Sequence, residues 1–244
     1  IPLRLVGSEM CIRDRVYSNL FIWTFFYGLR SMFSILLSKK KSNFKYYGIQ
    51  WGKTLGKIMR IKLEVIGREN LQPDKNYIFA PNHSSVMDIP LLFVAVNRYL
   101  VFVAKKELGR IPIFKTIIKV AGFVLVDRKN NKNAIESLEK LRSDMDQSPR
   151  SVAIFPEGTR SRNGELQDFK KGAAIFGINT GMPIIPVAIT GSYSWWKKSF
   201  FSKDLNIIKI IFGDPIDTKN SSYEDRNKIT MSIKNEIIKL ANEQ

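Results

Sequence analysis

From residue 61 onward, short apolar runs alternate with stretches of helical period, and this alternation restricts the possible folds more than any other feature. The runs at 61–66, 76–80, 99–104, 123–126, 151–155, 184–189 and 207–212 read as strands. Several are continuously apolar and so have no face to give to water, whereas 61–66 alternates apolar and charged residues as a half-buried strand does. Between them, 89–96, 111–120, 131–146 and 172–179 read as helices, and a last helix carries Ile229, Ile233 and Ile237 on one face. Within 131–146, Ala134, Leu138, Leu141 and Met145 fall at helical spacing with charges between them. Parallel neighbours need a crossover, and helices between strands supply it. The expected fold class is therefore α/β, with a mixed, partly parallel sheet flanked by helices. A chain of 244 residues suffices for one such domain and a short appendage.

The appendage precedes the sheet. Residues 16–37 are almost continuously apolar and rich in aromatics, with Arg30 well inside and Lys39, Lys40 and Lys41 directly after. The stretch is long enough to cross a bilayer. Two membrane arrangements fit it: a helix embedded in one leaflet with its cationic end among anionic headgroups, or a tilted span from which Arg30 snorkels. A buried core helix is the competing reading, but its aromatics would need an extensive protein cover. Residues 44–60 place Trp51, Leu55, Ile58 and Met59 on one side and read as a second, interfacial helix. Residues 16–60 are thus expected to form an N-terminal membrane-embedded two-helix segment, and 61–244 a separate domain. Residues 5–14 resemble a translated transposase adapter, so 1–15 are expected to be an artefact foreign to the fold.

Composition excludes some chemistry. One cysteine, Cys11, rules out a disulfide framework and a cysteine metal site, and a single histidine rules out a multi-histidine one. A net charge of +17, from 39 Lys+Arg against 22 Asp+Glu, attracts nucleic acid, anionic lipid or acidic metabolites without choosing among them.

Four blocks could carry chemistry. Asn82-His83-Ser84-Ser85-Val86-Met87-Asp88 follows a strand and enters a helix, where open α/β sheets place ligand sites. Five steps along a straight helix turn roughly 140° past a full circle, so His83 and Asp88 do not share a face there but can meet if His83 lies on the loop and Asp88 one turn inside the helix. The carboxylate would then fix the imidazole tautomer and leave the other nitrogen as a base. A loop histidine satisfied by local hydrogen bonds is the competing reading, and this block alone does not separate the two. Phe155-Pro156-Glu157-Gly158-Thr159-Arg160-Ser161 offers a glycine that admits close backbone approach, a threonine donor and an arginine fork suited to phosphate. Glu157 could hold that arginine or a substrate hydroxyl; an ordinary charged turn fits as well. Lys105 and Lys106, and Arg128 after the next strand, put cations at strand ends. Pro183-Ile184-Ile185-Pro186 reads as a wall of the site.

In order and spacing, these blocks resemble the glycerolipid acyltransferase family over roughly residues 44–215, and most closely its bacterial lysophosphatidate branch. The family's marks are an N-H-x4-D block, a basic-Leu-x-x-x-Pro block ending in Arg, an F-P-E-G-T-R-S block and a Pro-Ile-x-Pro block. Lys115 departs from the pattern, standing where the family often has glycine. The resemblance implies a glycerol-3-phosphate acyltransferase-like fold. It also implies transfer of a fatty acyl group from acyl-coenzyme A or acyl carrier protein to the free sn-2 hydroxyl of lysophosphatidic acid, giving phosphatidic acid.

In that scheme His83 is the general base and Asp88 its orienter. Arg160, Arg128 and one of Lys105 or Lys106 hold the acceptor phosphate, and Glu157, Gly158 and Thr159 shape that pocket. The thioester is already activated, so no metal or redox cofactor and no covalent intermediate is needed. The partners implied are a lipid bilayer and the two substrates, not nucleic acid, and the place is the cytoplasmic face of a bacterial inner membrane.

Other readings remain. The acceptor can be another lysolipid or glycerol 3-phosphate. A hydrolase using Ser84 or Ser85 lacks a G-x-S-x-G elbow. A nucleic-acid-binding module leaves 16–37 unexplained, and a non-catalytic lipid-binding protein is the third alternative.

Overall fold

The apolar runs pair side by side into one sheet. A computed structural model describes residues 3–110, 112–127, 131–147, 149–197 and 206–243, with backbone alone over 3–16, 112–114, 131–135, 138 and 146–147. The strands are β1 (Ile61–Ile66), β2 (Ile78–Pro81), β3 (Leu100–Lys105), β4 (Val124–Val126), β5 (Ser151–Ala153), β6 (Ile184–Thr190) and β7 (Asn206–Phe212). They lie in the order β1-β7-β6-β2-β5-β3-β4. Every neighbouring pair is parallel except β6 with β7, so the sheet is mixed and mostly parallel. The helices are α1 (Leu3–Ser38), α2 (Phe44–Ile58), α3 (Asp88–Val96), α4 (Pro112–Val120), α5 (Asn131–Gln147), α6 (Gly172–Thr180), α7 (Ser192–Lys197) and α8 (Arg226–Asn242).

Side chains of successive strand residues point to opposite faces, and the sheet builds a core on each. Phe79, Phe102 and Ile210 face one way and pack with Leu55 of α2 and Leu91 and Phe93 of α3. Ile78, Val101 and Ile211 face the other way and pack with Leu141 of α5, Phe176 of α6 and Ile233 of α8. Central β2, β5 and most of β6 are buried on both faces, which their continuous apolar sequence requires. β1 lies at the edge, with an ion pair between Lys62 Nζ and Glu64 Oε1 at 2.8 Å. Charges there discourage pairing with another chain. In α5, Leu141 is fully buried and Met145 packs on the second core, while the side chains of Ala134 and Leu138 lie outside those described.

The connections explain where the site opens. From β2 the chain passes through α3 to β3, on one side; from neighbouring β5 it passes through α6 to β6, on the other. Diverging paths leave a crevice at the carboxyl ends of β2 and β5.

The N-terminal segment corrects one expectation. Tyr17–Ser38, within α1, is the one helix among the described residues long and apolar enough to cross a membrane. Phe21, Phe33 and Leu37 on it are 61%, 66% and 78% exposed. A second membrane-embedded helix is not formed. α2 instead turns a stripe of Gly48, Gly52 and Gly56 onto α3, where Phe93, the Pro90 carbonyl and Leu91 come against them. Glycines four residues apart bring two helix backbones together, and this seam buries one face of α2 against the protein. Gly52→Ala is expected to lower the melting temperature, because a Cβ would collide with the Pro90 carbonyl oxygen and lie 2.6 Å from Val94 Cγ2. The cost of such overpacking is about 1–3 kcal/mol. An unchanged thermal melt would show that the seam can part freely.

Candidate active site

β2 ends at Pro81, and the side chain of Asn82 continues its pairing with β6. Asn82 Oδ1 accepts the Ile189 N–H at 2.6 Å, and Nδ2 donates to the Ile189 carbonyl at 3.0 Å. The loop beyond it is thereby fastened to the sheet before it turns into α3 at Asp88. Asp88 is thus the first residue of the helix rather than one turn inside it.

The loop wraps the Asp88 carboxylate, which has no exposure to solvent. Oδ2 accepts the backbone N–H groups of Ser84 and Ser85, each at 2.8 Å, and lies 2.7 Å from His83 Nδ1. Oδ1 accepts the hydroxyl of Ser192, the first residue of α7. An oxygen already taking two N–H donors acts as an acceptor, so Nδ1 carries a proton, and in the neutral ring the lone pair is then on Nε2. The ring stacks on Phe155, with centroids 4.1 Å apart and planes 27° from parallel, which holds its plane.

Glu157 joins the first and third sequence blocks. It is 4% exposed, and its Oε1 accepts the His83 N–H at 2.7 Å while Oε2 accepts the Gln167 N–H at 3.1 Å. Ser161 N–H closes the link by donating to the His83 carbonyl at 2.8 Å. Burial pushes the Glu157 carboxyl above its ordinary value, and the two backbone donors oppose that rise. Both carboxylate oxygens therefore face backbone. The sequence had suggested an arginine or a substrate hydroxyl as the partner. Gly158 has φ +72, the left-handed region that favours glycine, as the chain turns after β5, and Thr159 is exposed on the same turn.

A cavity of about 450 Å³ begins at His83. Its wall is largely apolar, including Trp51, Phe93 and Ile117, and Arg160 and Lys105 also line it. Lys105 ends β3 with its Nζ 3.3 Å from Glu107. Lys106 turns to Asp127, 3.5 Å away, and is not part of the wall. Arg128 lies outside the described residues. A second recess, about 370 Å³, reaches His83 and Glu157 from between α7 and α8. Ser84 and Ser85 are buried, and the Ser85 hydroxyl accepts the Met87 N–H, an arrangement that does not present either serine as a nucleophile.

Sequence reasoning missed Ser192, Gln167 and the stacking role of Phe155. The signal for Ser192 was its place just past β6, the strand beside β2. The other two act through a backbone amide and a ring face, which carry no motif.

Fold and site together define the class. The family model described as Acyltransferase matches residues 62–190, and the chain belongs to that family. Among particular relatives, the chain is 32% identical over 180 residues to a 1-acyl-sn-glycerol-3-phosphate acyltransferase of Borreliella burgdorferi, covering 73% of this chain and 71% of that one. An enzyme of the same name from Cocos nucifera is 33% identical over 181 residues, covering 74% of this chain, and the match spans only 58% of the coconut protein. The crystal structure of the 1-acyl-sn-glycerophosphate (LPA) acyltransferase PlsC from Thermotoga maritima superposes with a TM-score of 0.75 at 27% identity, covering 98% of both chains.

Proposed function

We propose that the chain transfers a fatty acyl group from an acyl thioester, of coenzyme A or acyl carrier protein, to the sn-2 hydroxyl of lysophosphatidic acid, making phosphatidic acid. The observation that carries this reading is the His83–Asp88 pair, 2.7 Å apart, at the end of an apolar cavity that also holds Arg160 and Lys105. The names of the relatives support the same acceptor. His83 Nε2 takes the proton of the acceptor hydroxyl as its oxygen attacks the thioester carbonyl. The tetrahedral intermediate collapses with loss of the thiolate, which receives that proton from the imidazolium. Asp88 holds the ring and offsets its transient charge. Arg160 and Lys105 bind the acceptor phosphate, and Arg128 is assigned to the same phosphate. The apolar cavity takes a fatty chain. Two recesses meeting at one base suit a reaction between two substrates.

The exposed aromatics of Tyr17–Ser38 and the Lys39–Lys41 cluster that follows support membrane association at the cytoplasmic face of a bacterial inner membrane. In the same reading, residues 16–60 associate with the membrane and 61–244 form the catalytic domain, with 1–15 foreign to both.

The test is an assay of purified, detergent-solubilised protein against a panel of lysophospholipids and glycerol 3-phosphate, with both donor types. Lysophosphatidate should be the preferred acceptor. Preference for glycerol 3-phosphate or a phosphate-free lysolipid would overturn the assignment. Arg160→Ala should raise the KM for lysophosphatidate roughly 10- to 100-fold, the worth of a charge-assisted contact, with a smaller effect on kcat. An unchanged KM would remove Arg160 from the phosphate site.

A further inference from the structure

We infer that Ser192 is a positioning residue of the reaction, the third member of a His83–Asp88–Ser192 relay; this rests on the proposed general-base role of His83. Asp88 Oδ2 is taken up by the imidazole and two backbone amides, and Oδ1 faces the Ser192 hydroxyl. Both Asp88 and Ser192 have no exposure to solvent. The hydroxyl stands at the first residue of α7 and donates to a carboxylate 104 residues earlier in the chain. Gly191, at φ +78, makes the turn that swings Ser192 back over the crevice, and a Cβ there would strike the Ile207 carbonyl oxygen. Trp195, buried one turn later, keeps α7 in place.

The chemistry follows from this placement. A carboxylate that shares its charge with a hydroxyl polarises its histidine less than one held by amides alone, and its plane is fixed by contacts on both oxygens. The charged groups around the imidazole are Asp88 at Nδ1, Glu157 behind the backbone, and Arg160 and Lys105 on the cavity wall. Of these, Ser192 bonds to Asp88.

His83 is the one histidine in the chain, so its ring proton signals can be followed by NMR without assignment. The test compares wild type, Ser192→Ala and Ser192→Thr in detergent. Ser192→Ala should raise the histidine titration midpoint by about half a pH unit or more and move the acid limb of the kcat profile with it. It should lower kcat roughly tenfold while both KM values stay within about twofold. Ser192→Thr keeps the hydroxyl and should restore the midpoint. The idea is overturned if Ser192→Ala leaves the titration and kcat as in wild type. It is equally overturned if both variants lose melting temperature and activity together with the midpoint unmoved, the behaviour of a purely structural serine. A wild-type chain that makes no phosphatidic acid would instead sink the proposed function, and the titration would still read the relay.

Discussion

His83→Ala should reduce acyl transfer on the order of 10²–10⁴-fold, the usual contribution of a positioned general base. No second histidine exists to stand in for it. The fold should survive the change. The side chain is 13% exposed and lies at the end of a cavity, so its removal enlarges an existing space rather than sealing a new void. Asp88 would keep the amides of Ser84 and Ser85 and the Ser192 hydroxyl. Circular dichroism and a thermal melt should therefore resemble wild type while turnover is lost. Activity within tenfold of wild type would refute the base.

Asp88→Asn is the second large effect, and the geometry says how it arises. The position of Oδ2 faces the His83 ring N–H and two backbone N–H groups, so the asparagine must put its oxygen there. Its amide nitrogen then faces Ser192, whose hydroxyl can turn to accept. The tautomer of His83 is kept, and what disappears is the negative charge that steadies the imidazolium. A loss of about 3 kcal/mol, on the order of 10²-fold in kcat, is expected with little change in either KM. Asp88→Ala should do worse, because it strands buried N–H donors and costs stability as well. If Asp88→Asn destabilised the fold as much as Asp88→Ala, the carboxylate would be structural rather than electrostatic.

The sheet was legible because its central strands are buried on both faces and so cannot hide their apolar runs. α3 and α6 were legible as apolar segments, and α8 by its one apolar face. α7 was not seen: Ser192–Lys197 is too short for a period, and it is pinned by Trp195 rather than by its own pattern. α2 was seen, but its close packing on α3 was not. Its lysines suggested an interface, while the spacing of Gly48, Gly52 and Gly56, which marks a close helix neighbour, was the better signal. In the site, the His83–Asp88 contact could be anticipated because both partners are side chains in one block. The tie made by Glu157 could not, because a carboxylate that bonds backbone amides leaves the identity of its partners unwritten.

One wall of the cavity has a consequence for how such proteins diverge. Tyr27 and Gly28 of α1 and Tyr47 and Trp51 of α2 line it, yet all four precede residues 62–190, where the family pattern resides. The reacting groups and this part of the surface that a fatty chain would touch are therefore written in different stretches of the gene. Selection can reshape the second without disturbing the first. Two descendants sharing every residue from Asn82 to Arg160 could then stock their membranes with different lipids, and a phylogeny drawn from the shared block would not tell them apart.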